Sequence, residues 1–406
     1  MVEIRSVAPD EVIEFHRAVS FGFGQDPVDD ESLRRQAELM PTETSLVAID
    51  GSRIVATFGT YFFDLTVPGG ATVPLGGTTE VTVASTHRRR GILTALMGRH
   101  LEQLRELDRP VAGLWASDER IYRRFGYGPA AYDTSIRFST ELVTLPPAPE
   151  GHDLRRLNQA EARTVLPDVY DRTRRTRPGM LSRSSAWWEV RHFSDPPERR
   201  LGTSTRRTVV TERDGVVTGY IVYRQGPCWD GRMVADGTVQ VVELVAVNDD
   251  ARRALWAHVS TIDLFPNVTW SRCPVDDPMF VGADRFRRIE QFPQDTLWLR
   301  PLDVPALTAA RTYAHDGQVV VELTDGFAGR GGRYRIETSG GAGTATATTA
   351  AADVTLDIAD FGALFLGAGY TRQLAACGRI TGRPDAVAAL HVMFATPDAP
   401  WIAEIF

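Results

Sequence analysis

The stretch Val81-Thr-Val-Ala-Ser-Thr-His-Arg-Arg-Arg-Gly-Ile-Leu-Thr-Ala-Leu-Met97 decides the interpretation of the first third of the chain. It predicts a strand, a short loop and a helix that begins at about Gly91. The first N–H groups of a helix lack partners within the helix and lie at the positive end of its dipole, which suits a diphosphate. Gly91 leaves room for the phosphate, and the three arginines before it add positive charge. We therefore expect a phosphate-binding turn here, the alternative being a solvated basic loop before an ordinary helix.

Strands and helices alternate on both sides of this turn, up to a segment at 145–151 that three prolines and a glycine mark as a linker. A second block, to about residue 299, again mixes helices with strands. The third block contains strands, a low-complexity run at 340–352 and two helices. The predicted fold class is therefore mixed, α+β with α/β features. In the first block we expect helices at 10–21, 29–39, 91–107 and 120–125, and strands at 45–49, 54–67, 80–84 and 111–115.

Composition narrows the class of protein. The 406 residues suggest two to three domains, and a net charge of −7 makes nucleic acid a poor partner and favours a cationic substrate. The three cysteines are odd in number and widely spaced, which indicates neither a disulfide framework nor a zinc site and fits the cytoplasm. We expect no signal peptide, and no apolar stretch reaches ~18 residues. Its histidines lack metal-ligand spacing, so we expect no metal and no membrane attachment.

The opening stretch resembles the acetyl-CoA signature of the GNAT acetyltransferase superfamily, Q/R-x-x-G-x-G/A. Arg88 stands at its first position and Gly91 at its glycine, while Leu93 departs from the final Gly or Ala. The resemblance implies that the strand with Val81 and Val83 pairs with the pantetheine arm, and that the next strand separates from it to admit the thioester. The residues implied for acetyl-CoA binding are Val81, Val83, Arg88, Arg89, Gly91, Ile92, Leu93, Thr94 and Ser117.

Two tyrosines are candidate proton donors in the stretch Ala116-Ser-Asp-Glu-Arg-Ile-Tyr-Arg-Arg-Phe-Gly-Tyr-Gly-Pro-Ala130. A tyrosine near the departing thiolate of CoA can supply its proton, although a ring that merely packs would look the same in sequence. The stretch resembles A-S-E-x-x-I-Y-x-R-F-G-Y-G-x-A of the Eis (enhanced intracellular survival) acetyltransferase family, with an aspartate in place of the glutamate. That resemblance makes Tyr122 the general acid and Tyr127 its neighbour. Arg123 and Arg124 are interpreted as surface charges.

The sequence ends in Ala403-Glu-Ile-Phe406, and this tail is unusually apolar for a frayed terminus. A free α-carboxylate has a pKa of ~3.5 and is charged at neutral pH. Docking of a last strand is the simple interpretation. The Eis resemblance implies instead that the carboxylate of Phe406 enters the active site and accepts the proton of the amine. The candidate receiving groups for a cationic substrate are Asp26, Trp115 and Glu404.

The resemblance to the Eis family extends over nearly the whole chain, with supporting matches at 298–300, 302–307 and 364–368. It implies tandem GNAT folds, the second degenerate, and a C-terminal domain like sterol carrier protein. It also implies a homo-hexameric ring. The predicted domain bounds are 1–145, 146–299 and 300–406.

The second block itself indicates that its coenzyme site is degenerate. A strand at 243–247 is followed by Asn248-Asp249-Asp250 and a helix, an order similar to that of the first block. This turn has no glycine, and the charges of its two aspartates would repel a diphosphate. We therefore expect one CoA site per chain.

The predicted function is acetyl-CoA-dependent N-acetylation of primary amines on cationic small molecules, such as aminoglycosides and polyamines. Protein-lysine acetylation uses the same chemistry and is one alternative. The other is a lipid-binding or scaffold role of the third block, in which Phe361, Leu364 and Phe365 would line a tunnel rather than form a core.

Overall fold

Three β-sheets organise residues 2–26 and 29–406, which the computed structural model describes. The chain forms two units. One unit contains described residues of Met1–Ala131, Pro178–Ser182 and Asp295–Phe406, and the other contains Tyr132–Arg177 and Arg183–Gln294. The sheets and helices confirm the mixed fold class expected from the sequence.

The strands are short to medium in length, apart from the long pair β3 and β4. In chain order they are β1 Glu3–Ser6, β2 Leu46–Asp50, β3 Arg53–Thr66, β4 Thr72–Val83, β5 Val111–Trp115, β6 Gly128–Pro129, β7 Tyr132–Ser139, β8 Asp153–Leu157, β9 Arg207–Arg213, β10 Val216–Gly226, β11 Thr238–Ala246, β12 Asn267–Pro274, β13 Glu290–Asp295, β14 Leu297–Pro301, β15 Gly317–Thr324, β16 Gly332–Ser339, β17 Ala342–Ala347, β18 Val354–Asp357 and β19 Ile380–Gly382.

The helices lie close to their predicted positions in the first block. In chain order they are α1 Val12–Gly22, α2 Asp30–Ala37, α3 Ile92–Glu106, α4 Glu119–Tyr122, α5 Gln159–Arg174, α6 Ser185–Trp187, α7 Asp249–Val259, α8 Met279–Gly282, α9 Val304–Ala310, α10 Ile358–Phe365, α11 Thr371–Ala376 and α12 Pro384–Phe394. A π-helical turn, Trp188–Phe193, continues α6.

The first sheet has the order β1-β2-β3-β4-β5-β14-β6. Its neighbours are antiparallel except for β4 and β5, which run parallel. A Cβ on Gly76 would meet Leu104 of α3, whereas a Cβ on the next residue, Gly77, would meet the ring of Phe406. Because successive side chains of a strand point to opposite faces, α3 covers one face of β4 and the C-terminal tail lies on the other.

Helix α3 is held on the sheet by an apolar face. Leu96, Met97, Leu101 and Leu104 are buried, as their spacing of three and four residues predicts. Each fully buried side chain of this kind contributes roughly 1.5–3 kcal/mol relative to an exposed one. This packing fixes where the N-terminal end of α3 lies.

The second unit contains a sheet of order β13-β7-β12-β11-β10-β9-β8, in which β11 and β12 are parallel. The bounds 1–145, 146–299 and 300–406 stay a prediction, and two strands bear on them. Tyr132–Ser139 lies before residue 145 and pairs with β12 of this sheet. Leu297–Pro301 lies across residue 299 and pairs with β5 of the first sheet. Such long-range pairings leave no local pattern in the sequence.

The third sheet has the order β17-β16-β15-β18-β19 and packs with α9 to α12. Phe361 and Leu364 lie in the buried core of this domain, which favours the core interpretation over a lipid tunnel. The low-complexity run holds the edge strand β17, whose small residues gave no hydrophobic alternation to read. Among the described residues, no helix is both long and apolar enough to span a bilayer, and the three cysteines are free.

Candidate active site

A cleft opens where the two parallel strands of the first sheet separate. The pairing of β4 with β5 runs from Leu75 opposite Val111 to Thr78 opposite Leu114 and then stops. Beyond that point lies a cavity of about 900 Å³. Its lining consists of Gly22, Phe23, Val81, Thr82, Val83, Ser85, His87, Arg88, Arg89, Gly91, Ile92, Leu93, Thr94, Ser117, Ile121, Tyr122 and Arg124. The lining therefore contains every residue predicted to bind acetyl-CoA.

The predicted phosphate-binding turn forms one wall of this cleft. Gly91 has φ +78°, a conformation that costs other residues roughly 1–2 kcal/mol, and no atom of the described residues lies within 4 Å of where its Cβ would be. Helix α3 begins at the next residue, and within the described part of the chain no side chain caps its N-terminus. Arg88 and Arg89 line the cleft beside it. Uncapped N–H groups, open space and two guanidinium groups make this wall suitable for a diphosphate.

The corresponding helix of the second unit begins differently. Asn248 caps α7, and its side-chain oxygen accepts a hydrogen bond from the N–H of Ala251 at 2.9 Å. Asp249 and Asp250 occupy the first turn. This helix end is thus already satisfied by its own side chain and carries negative charge, which is consistent with a single CoA site in the first unit.

Tyr122 places a phenol in the cleft. It ends α4, is 6 % exposed and shares the lining with Ser117. Burial raises the pKa of Tyr122, and a hydrogen bond with Ser117 lowers it by less. A phenol that keeps its proton at neutral pH is a suitable proton donor.

Tyr127 lies behind Tyr122, outside the cleft lining. Its side chain is fully buried, and its ring meets that of Tyr122 edge-on, with centroids 6.3 Å apart. Its hydroxyl lies 3.1 Å from the hydroxyl of Thr78. Burial raises the pKa of Tyr127. Of the two tyrosines, Tyr122 is the one that reaches the cleft.

The C-terminal tail is tied down on the face of β4 opposite α3. Trp401 donates its backbone N–H to the carbonyl of Pro178 at 2.9 Å. The ring of Phe406 lies 5.0 Å from that of Phe63, and a Cβ on Gly77 would stand 2.9 Å from it. Phe406 is 7 % exposed, so the last residue packs against the sheet that forms the cleft.

The predicted substrate groups lie in three different settings. Asp26 is exposed between α1 and α2, and Glu404 is buried in the tail. Trp115 ends β5 opposite Leu297, and its buried indole N–H has no hydrogen-bond partner among the described residues. None of the three belongs to the described lining of the 900 Å³ cleft. A cationic acceptor that used them would approach from outside that lining.

A buried carboxylate beside the cleft was not predicted from the sequence. Glu80 has φ +51° at a bulge of β4, and its Oε1 accepts a hydrogen bond from Gln36 of α2 at 2.8 Å. The Nδ1 of His16 on α1 lies 3.5 Å from the same oxygen. Glu80, the residue immediately before Val81 of the cleft lining, thus connects α1 and α2 to strand β4. A charged residue inside an otherwise uncharged strand was the available signal.

Arg124 is exposed, in agreement with its interpretation as a surface charge, whereas that interpretation is wrong for Arg123, which is half-buried and ion-paired. Arg123 donates two 3.1 Å hydrogen bonds to Asp360, whose side chain is 1 % exposed, and Arg124 lines the cleft. Asp360 lies 237 positions along the chain, so local sequence could not reveal the ion pair. The described residues hold no group of three or more His, Cys, Asp or Glu that could bind a metal ion.

Comparison with protein families divides the chain into three parts. Residues 3–130 and residues 179–301 each match an acetyltransferase (GNAT) domain. Residues 304–403 match a sterol carrier protein domain. The matches agree with the tandem GNAT folds and the third domain expected from the sequence.

Similar proteins cover the chain almost from end to end. An uncharacterized N-acetyltransferase of Streptomyces avermitilis is 37 % identical over 372 residues, 91 % of this chain and 90 % of that protein. The N-acetyltransferase Eis of Mycobacterium tuberculosis is 32 % identical over 371 residues, 87 % of each. The crystal structure of Eis1 from Mycobacterium abscessus superposes with a TM-score of 0.85 at 28 % identity, and all of each chain is covered.

Proposed function

The chain belongs to the Eis family of GNAT N-acetyltransferases, and from that premise we propose that it acetylates primary amines of cationic small molecules, aminoglycosides or polyamines, with acetyl-CoA. The observation that carries the proposal is the uncapped start of α3, which opens on the same cleft as Tyr122. Acetyl-CoA supplies an activated thioester. A coenzyme site and a proton donor in one cleft are what acetyl transfer requires.

The chain's own residues bind the coenzyme along the cleft wall. The N–H groups at the start of α3 and the guanidinium groups of Arg88 and Arg89 hold the diphosphate. The backbone of β4 beside Val81 and Val83 pairs with the pantetheine arm in the manner of an added strand. Leu93 stands where the family signature has Gly or Ala, and its half-buried side chain lines the cleft.

The transfer requires proton removal from the amine nitrogen and proton donation to the sulfur. An ammonium group has a pKa of ~10 and must lose a proton before its nitrogen attacks the thioester carbon. The carboxylate of Phe406 accepts that proton. As the C–N bond forms and the C–S bond breaks, Tyr122 gives its hydroxyl proton to the departing sulfur, and the second proton lost by the acetylated nitrogen returns the Tyr122 phenolate to its phenol.

Charge supports a cationic acceptor. The chain carries a net charge of −7, and of the two acidic groups proposed to receive the substrate, Asp26 is exposed whereas Glu404 is buried in the tail. A polyamine has its ammonium groups close together, so several can be attracted to one acidic surface.

Acetylation of protein lysines is the second candidate, because it uses the same chemistry. Assembly into a cytoplasmic homo-hexamer completes the proposal, and a mass of 44.8 kDa in light scattering would contradict it.

The experiment is an assay of thiol release from acetyl-CoA with a panel of aminoglycosides, polyamines and lysine peptides. We expect turnover with the small polycations. Turnover with peptides alone would favour the lysine alternative, and no turnover with any amine would reject the proposal. Arg88→Ala should raise the KM for acetyl-CoA by about tenfold or more, the loss of one charge-assisted bond. Arg99→Ala, in the exposed part of α3, is the matched control and should leave KM unchanged.

The same assay tests the base. A protein with two extra residues after Phe406 no longer presents a carboxylate at that position. Its kcat should fall while its KM for acetyl-CoA stays the same, because the residues proposed to bind the coenzyme are unchanged. Full activity of the extended protein would dismiss the terminal carboxylate as the base.

A further inference from the structure

Four buried polar side chains form a hydrogen-bond network beneath the cleft. Thr60, Thr78, His100 and Tyr127 are each 3 % exposed or less. The hydroxyl of Thr60 lies 3.2 Å from Nδ1 of His100, and Nε2 of His100 lies 2.9 Å from the hydroxyl of Thr78. That hydroxyl lies 3.1 Å from the hydroxyl of Tyr127. The proposed reaction uses none of these contacts.

These side chains lie on the face of the sheet that α3 covers, where its two parallel strands part. Thr78 is the last residue of β4 that pairs with β5, opposite Leu114. His100 reaches it from α3, and Tyr127 reaches it from the turn after α4. The hydrogen-bond network thus connects α3, whose N-terminus forms the predicted phosphate-binding wall of the cleft, with the ring of Tyr127 that contacts Tyr122.

The direction of the hydrogen bonds follows from one carbonyl. The hydroxyl of Thr60 lies 3.0 Å from the carbonyl oxygen of Thr44, which can only accept. A hydroxyl has one hydrogen, so Thr60 gives it to Thr44 and must accept from His100. Nδ1 of His100 therefore carries the imidazole hydrogen.

The directions of the remaining hydrogen bonds in the network are then determined. Burial lowers the pKa of His100 to about 3, so the ring is neutral and its Nε2 accepts. Thr78 donates to Nε2, and the oxygen of Thr78 accepts the hydrogen of Tyr127.

The opposite direction is less favourable. It would send the hydrogen of Tyr127 to the sulfur of Met97 at 3.8 Å, and a thioether is a weak acceptor. It would also leave either Nδ1 of His100 or the carbonyl of Thr44 without a donor. Because a buried acceptor without a donor carries a desolvation penalty, the direction from Tyr127 to Thr44 is preferred.

We propose that His100, through Thr78 and Tyr127, is a positioning residue that holds Tyr122 for proton donation in the cleft. The inference rests on the proposed function. The hydrogen of Tyr127 is committed to Thr78, so Tyr127 is not the donor to sulfur. Its fixed ring is the edge-on support of Tyr122. Two tyrosines of one short segment thereby have different tasks.

The test compares Thr78→Val, which keeps the shape but removes the hydroxyl, with Thr78→Ser, which keeps the hydroxyl. Thr78→Val should lower kcat by about tenfold or more, in line with the cost of a misplaced catalytic group. Its KM for acetyl-CoA should stay within about twofold, since Thr78 lies outside the cleft lining. Thr78→Ser should restore most of kcat. Unchanged kcat in Thr78→Val, or equal losses in both variants, would overturn the positioning role.

A matched control separates this effect from general loss of a buried hydroxyl. Thr308 is fully buried in α9, and its hydroxyl donates to the carbonyl of Val304 at 2.8 Å. Thr308→Val removes one buried hydrogen bond outside the active site and should leave kcat unchanged. An equal loss of kcat in Thr308→Val would mean that the assay reports folding rather than positioning.

A second measurement tests the hydrogen-bond network directly and does not depend on catalysis. It uses the unaltered protein, so it is informative even where a variant fails to fold. NMR of the protein with ¹⁵N-labelled histidine rings should show His100 with hydrogen on Nδ1 only, and no second proton down to about pH 5. The signal is identified by its loss in His100→Gln. Hydrogen on Nε2 of His100, or titration of its ring near the ordinary pKa of ~6.5, would contradict the proposed hydrogen-bond network. Failure of the proposed function is distinguished by absence of turnover in the unaltered protein.

Discussion

Tyr122 and Tyr127 stand five positions apart, and their surroundings give the two phenols different chemistry. Tyr122 faces the cleft and lies beside Ser117, whereas the hydroxyl of Tyr127 is directed at Thr78 inside the fold. The sequence alone named both as candidates, because the pattern of a short helix and turn does not reveal which ring is covered. The deciding residues, Thr78 and His100, lie on another strand and another helix.

Tyr122→Phe tests the general acid. Removing the hydroxyl should lower kcat by ~10²–10⁴, the usual contribution of a positioned acid, with little change in the KM for acetyl-CoA. Tyr334→Phe, a half-buried tyrosine of the third domain, is the control and should behave like the unaltered protein. An unchanged rate in Tyr122→Phe would assign the proton to another donor.

The pH profile of kcat belongs to the same test. Because burial raises the pKa of Tyr122 above its ordinary value of 10.0, the acid stays protonated throughout the neutral and mildly alkaline range. The rate should rise with pH as the acceptor amine loses its proton, and should fall only above about pH 10. A fall that begins near pH 8 would contradict the assignment.

At the scale of elements, the turn after α4 is a docking point within the first unit. Gly126 has φ +84°, and a Cβ there would overlap the guanidinium of Arg300. Arg300 is fully buried and donates to Asp325 at 2.8 Å. A Cβ on Gly128 would overlap the carbonyl oxygen of Ala359 in α10. The glycines of this motif are therefore explained by packing partners from the far end of the chain, which the motif itself could not indicate.

Gly126→Ala should be far more destabilising than the same change at Gly51. Both positions have positive φ, but among residues 2–26 and 29–406 no atom lies within 4 Å of a Cβ on Gly51. Gly51→Ala therefore has only the conformational cost of roughly 1–2 kcal/mol. Gly126→Ala also displaces Arg300 from Asp325, and loss of a buried ion pair costs ~3–5 kcal/mol. Thermal unfolding compares the two variants, and equal shifts in Tm would show that Arg300 does not depend on Gly126.

At the scale of the whole molecule, the first unit is assembled from three separated parts of the chain. The segment Pro178–Ser182 pairs beside the end of β3, where the N–H of Thr66 donates to the carbonyl of Met180 at 2.8 Å. The backbone N–H of Trp401 in turn donates to Pro178. Hydrophobic spacing predicted α3 and the strands around it well, because those signals are local. It could not predict these pairings, and only the family resemblance indicated that the tail belongs to the site.

The most direct test of the account is a crystal structure with CoA bound. The diphosphate should lie within hydrogen-bonding distance of the N–H groups at the start of α3, from Ile92 to Thr94, with the sulfur near the hydroxyl of Tyr122. A diphosphate at the start of α7 in the second unit, or a CoA molecule outside the cleft between β4 and β5, would contradict it.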